Sequence, residues 1–226
     1  MKKERFITER IYTLILTLSV PVIAVVFFRL LFWGSAGTTP YARQVFWLEN
    51  GAMVLTFILA AAVLGVMSIV KAFRTFNKSY EDCVRGMLIN KTGLIVFFSL
   101  NLMWDVMLSM MFIMGSRGLL LIFMPPVWAV MSYFTWLALI PGAIWGIQVA
   151  RACVKEKGMS KPQAVLHSIL QFVFMVDVLD CLYLAAVKWG MGKKRAVVIL
   201  VLYAVLIIAA VICGIKIFTA FQALGS

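Results

Sequence analysis

The feature that most constrains this chain is a succession of long apolar stretches separated by short basic connections. A hydrocarbon core about 30 Å thick is crossed by roughly 20 apolar residues in a helix, each rising about 1.5 Å. Lipid offers no partner to backbone amides, so such stretches cross as helices that satisfy their own hydrogen bonds. The composition agrees: 64% of the 226 residues are hydrophobic and 13% are charged, against about 25% charged in an average soluble domain. The expected fold is all-α, a single polytopic transmembrane helical bundle over residues 1–226. Six spans are preferred; five spans plus a re-entrant or interfacial helix is the alternative.

The first span is expected from about Ile11 to Trp33 with Pro21 inside it, the second from about Leu48 to Val70, and the third from about Thr92 to Met114. The stretch from Leu119 to Ala150 is too long for one simple span and contains Pro125, Pro126 and Pro141. An interfacial or re-entrant start broken at the proline pair, then one helix from about Val127, fits it. Ser160 followed by Pro162 reads as a helix start, with serine as cap and proline in the first turn. A fifth apolar stretch runs from about Ala164 to Trp189, and a last one from about Ala196 to Phe218.

Two connections stand out. Residues 71–91 carry Lys71, Arg74, Lys78, Arg85 and Lys91, with Phe73, Phe76, Tyr80, Val84 and Met87 at spacings of three and four. That pattern predicts a cytoplasmic amphipathic segment lying on the membrane or against the bundle. Residues 151–163 form a second, basic connection, also expected to be cytoplasmic. The formal charge of +12, from 21 Lys and Arg against 9 Asp and Glu, is read as a topology signal and a contact surface for anionic lipid headgroups. No connection is long enough for a nucleic-acid-binding module, so no nucleic acid partner is expected. The positive-inside rule puts the N-terminus in the cytoplasm of a cell inner-membrane protein. It meets one conflict: if 164–189 spans, then Lys188, Lys193, Lys194 and Arg195 fall outside, and if it is re-entrant they stay inside.

Ionisable groups within apolar segments are costly and usually pair or line a cavity. Asp105 lies near the centre of the third span with Asn101 one turn before it. Asp177 and Asp180 are three residues apart and share a helix face. His167 is the single histidine, with Gln171 one turn later. These six residues are the candidate ion- or substrate-binding set. On one continuous helix, His167 and Asp177 would lie on different faces. No metal site and no cofactor is expected, because the candidate ligands are not tightly grouped. No zincin, nucleophile-elbow, phosphate-loop or dinucleotide pattern is present, and His167 with Asp180–Cys181 is the sole trace of an enzyme. The four cysteines imply no disulfide framework. The functional expectation is a small transport protein or transport subunit that binds an ion or small substrate between helices. The alternative is a non-catalytic accessory subunit of a larger membrane complex, meeting a membrane-protein partner or a second copy of itself.

Overall fold

The computed structural model describes residues 6–33, 39–115, 122 and 124–224. They form α1 (Ile7–Trp33), α2 (Pro40–Phe76), α3 (Tyr80–Gly115), α4 (Met124–Glu156), α5 (Lys161–Leu170), α6 (Val176–Tyr183) and α7 (Lys193–Leu224). A single π-helical turn, Leu184–Lys188, extends α6.

Helices α1 to α4 pack on one another, and the short α5–α6 pair lies against α3 and α4. The long helices approach closely where a side chain is missing. A Cβ on Gly93 of α3 would lie 2.6 Å from the Thr13 hydroxyl of α1, so only glycine allows that contact. The Tyr12 hydroxyl donates to the Ala138 carbonyl of α4 at 2.8 Å in the interior. Close contact at small residues, with interhelical hydrogen bonds, is how helices associate where lipid removes the hydrophobic drive between them.

The outer faces decide the class. Among the described residues, four helices (α1 to α4) are long and apolar enough to cross a membrane. In α2 just 11% of the most apolar window is buried inside the bundle, and in α1 17%. Leu48, Val63, Met103 and Tyr133 are among many large apolar side chains that face outward. Water does not tolerate an apolar surface of that extent, and acyl chains do.

The six-span expectation is therefore corrected: among the described residues four helices, not six, are long and apolar enough to span. One cause is the stretch from Ala164 to Trp189, which is not one helix. It is interrupted over 171–175, where Met175 has φ +67°. Helix α5 has 10 residues and α6 has 8, so neither is long enough to cross. The chain folds back as a hairpin and returns to the end at which α5 began. There the Trp189 indole donates to the Cys153 sulfur at 3.0 Å, and the Lys157 ammonium sits 4.8 Å over the Trp189 ring. Helix α7 leaves from that end, and in its first turns Ala196 and Ile199 are buried against the rest of the molecule. Most of its side chains beyond Val205 lie outside the described residues.

Residues 71–91 do not form a helix of their own. They divide among the last turns of α2, a tight turn at 77–79 and the first three turns of α3. Arg74 and Lys78 project there, but Met87, Leu88 and Lys91 enter the core. Helix α4 starts at Met124, ahead of the proline pair, and passes Pro141 without a break. The expected interfacial start before it, 119–123, lies almost wholly outside the described residues. The Ser160 start is observed as a capping box: Ser160 Oγ accepts from the Gln163 amide, and Gln163 Oε1 accepts from the Ser160 amide at 3.2 Å.

Candidate functional site: a buried charged centre

Lys91, three turns into α3, and Asp177, in the first turn of α6, form an ion pair at 2.6 Å with both side chains fully buried. A lone charge in this interior would be prohibitive, so each ion requires the other. The Lys91 ammonium also lies 3.5 Å from the Gln171 backbone carbonyl. The Gln171 side-chain amide donates to Asp180, and Asp180 in turn meets His167 Nδ1. Gln171 thus touches both carboxylate sites, one through its backbone and one through its side chain. The His167 ring stacks on Tyr183 at 5.5 Å between centroids.

Helix α4 supplies the wall. A Cβ on Gly146 would lie 2.1 Å from Gln171 Oε1, and one on Gly142 would lie 3.2 Å from Lys91 Cε and 3.3 Å from Asn90 Oδ1. These two glycines, one turn apart, open the α4 surface to the centre. Beside them, the Trp145 indole donates to Ser68 Oγ of α2 at 3.0 Å, and Asn90 donates to the same oxygen at 3.4 Å. Asn90 Oδ1, Gln171 Oε1 and Asp177 Oδ1 are buried acceptors that receive no hydrogen bond within the described protein. The centre therefore holds three buried oxygen acceptors that no described donor satisfies.

Burial raises the Asp180 carboxyl above its usual range, and the bond and charge of His167 work against that rise. Burial pushes the Cys181 thiol up to about 12, so Cys181 is a thiol and not a nucleophilic thiolate at neutral pH. The described residues contain no group of three or more His, Cys, Asp or Glu side chains placed to hold a metal.

The six candidates divide into two sets. His167, Gln171, Asp177 and Asp180 come together as described. Asn101 and Asp105 lie elsewhere, about three and four turns along α3 from Lys91, or roughly 15 and 21 Å away at 1.5 Å per residue. There Asn101 donates to Thr135 Oγ1 of α4 at 2.8 Å and lies 3.5 Å from Asp105. Within the hairpin, His167 reaches Asp180 because the chain reverses between them, which phase along one helix does not anticipate. Asp177 and Asp180 share no proton site; each has its own partner. Sequence reasoning missed Lys91 as the counter-ion by treating it as the last residue of the basic amphipathic connection 71–91. The available signal was that a buried carboxylate needs a cation, and Lys91 is the basic residue directly abutting the third apolar stretch. Ser68, Asn90 and Trp145 were also missed.

Long apolar helices with outward-facing apolar surfaces and a polar, ion-paired interior define a polytopic membrane helical bundle. Residues 8–191 match the model of a family of unknown function, DUF6652, and the chain belongs to that family. The matched region contains α1 from its second residue through α6, including every residue of the buried centre. No curated protein and no solved structure matches the chain.

Proposed function

We propose that the chain is a small membrane transport protein, or the membrane subunit of one, in which the buried centre binds and passes a proton or a small cation. The observation that carries this reading is the continuous polar chain from His167 through Asp180 and Gln171 to the Lys91–Asp177 pair. His167 is partly exposed, whereas Lys91 and Asp177 are sealed. A proton arriving at His167 has hydrogen-bonded neighbours leading inward. A cation competing with the Lys91 ammonium for Asp177 would find the spare oxygens of Asn90 and Gln171 nearby. In this reading α1 to α4 and α7 span the inner membrane. The α5–α6 hairpin is re-entrant, and the N-terminus and all basic helix ends face the cytoplasm.

The test is purified protein in sealed liposomes carrying an internal pH dye, with an imposed pH gradient or cation gradient. The expected result is gradient dissipation faster than in protein-free liposomes, lost in Asp180→Asn and Asp177→Asn at unchanged protein content. Wild-type liposomes that behave as protein-free ones under both gradients would overturn the transport reading.

One observation favours the accessory-subunit reading instead. Val197, Val201, Val205 and Ile208 of α7 face outward as an apolar stripe. Such a helix could pack on a membrane partner. Extraction in mild detergent followed by mass measurement distinguishes the two: a stable monomer without a co-purifying protein counts against a subunit role.

A further inference from the structure

The starts of α1, α3 and α7 meet at the basic end of the bundle and enclose a groove of about 510 Å³ that is separate from the buried centre. Three arginines from three different helices line it: Arg10, Arg85 and Arg195. Arg10 and Arg195 are exposed and make no ion pair among the described residues. Arg85 has loose contacts on its own helix, 3.8 Å to Glu81 and 4.0 Å to Asp82. The floor is apolar, with Leu88 buried and Ile89 partly buried. A second depression of about 370 Å³ continues from Arg195 along the α3–α7 surface, walled by Val198 and Ile199, with Lys194 at its rim.

This layout is amphipathic in one direction. Guanidinium groups cluster at the basic end, and an apolar track runs from them along two membrane-embedded helices. Three converging arginines recognise phosphate oxygens, since each guanidinium presents a planar fork of donors. The apolar track has no use for a free anion but accommodates an acyl chain. We propose that this groove is a binding site for one anionic phospholipid. Its phosphate is held among Arg10, Arg85 and Arg195, and one acyl chain lies along Val198 and Ile199.

The experiment is native mass spectrometry of the full chain, delipidated in detergent and titrated with dioleoylphosphatidylglycerol or dioleoylphosphatidylcholine. The expected result is one phosphatidylglycerol retained per chain, bound more tightly than phosphatidylcholine. In R10Q/R195Q that binding should weaken by on the order of tenfold. Lys161→Gln, an exposed cation on α5 at the same end, should leave it unchanged. Equal retention of the two lipids, or an equal loss in Lys161→Gln, would overturn the site. Displacement of the bound lipid by millimolar inorganic phosphate would overturn the lipid assignment in favour of a simple anion site. The helix content of R10Q/R195Q by circular dichroism, expected to match the parent, separates loss of binding from loss of fold.

Discussion

The two ends of this bundle are built on different principles. At the basic end, charges are taken inside and paired. Glu9 is fully buried and bonded to Lys71 at 2.7 Å, and Lys91 is bonded to Asp177. Around them lies a dense core with Trp145, Met87 and Leu184 fully buried. At the other end, Trp104 sits edge-on against Phe27 and Phe28, at 5.5 and 6.0 Å between centroids. The polar content there is a hydrogen-bonded set, Asn101 with Thr135 and Trp128 with Ser109, with Asp105 meeting Asn101 at 3.5 Å, while an ion pair at that end, Arg29 with Glu49, lies on the surface. The difference teaches that a carboxylate in an apolar helix does not by itself mark a site. Asp105 and Asp177 look alike in sequence, yet one has a cation at contact distance and a linked network behind it.

The contrast can be broken by mutation, and the largest effect is expected at Lys91. Lys91→Met leaves Asp177 buried without its cation and should cost about 3–5 kcal/mol. Thermal unfolding in detergent, followed by tryptophan fluorescence, should show a large drop in midpoint. K91M/D177L should recover most of it, because removing both ions removes the uncompensated charge. A double variant no better than the single one would show that the pair is not the origin of the loss.

Next in size is Gly86→Ala. A Cβ there would fall 2.4–2.7 Å from the ring of Trp145, which is fully buried and cannot swing away. Overpacking of this kind costs about 1–3 kcal/mol. Ser160→Ala removes the α5 capping box and should cost about 1 kcal/mol. Its effect should be local, and hydrogen exchange should show faster exchange in α5 than in α3. The smallest effect is expected at the opposite end. Asp105→Asn strands no cation and should change stability by about 1 kcal/mol or less. A loss comparable to that of Lys91→Met would erase the distinction between the two ends.

Much of the fold is legible in the residues. Apolar length marks α1 to α4, and Ser160 with Pro162 marks the start of α5. The hairpin is not legible, for a physical reason. Its turn sequence, Gln171-Phe172-Val173-Phe174-Met175, has neither glycine nor proline to announce a reversal. The turn instead holds Met175 at positive φ, a strained conformation that tertiary contacts must stabilise. Those contacts include Lys91 to Asp177 across 86 residues, a separation that local pattern cannot bridge. Four of the candidate residues were recognisable by polarity in an apolar stretch, but their pairing was not, because pairing depends on that reversal. The same reversal resolves the charge conflict in the sequence: a returning hairpin brings Lys188 and Lys193–Arg195 to the end that already holds Arg10, Lys78 and Lys157.

That arrangement of the basic ends can be read from outside the membrane. Lys78→Cys, in the α2–α3 turn, and Lys194→Cys, at the start of α7, are both exposed positions. In a background with the four native cysteines replaced, sealed vesicles of known orientation can be treated with a membrane-impermeant maleimide. If α5 and α6 form a hairpin that does not cross, both positions label from the same side. Labelling of Lys78→Cys from one side and Lys194→Cys from the other would mean that residues 164–189 cross the membrane, and the hairpin with its buried centre would be wrong.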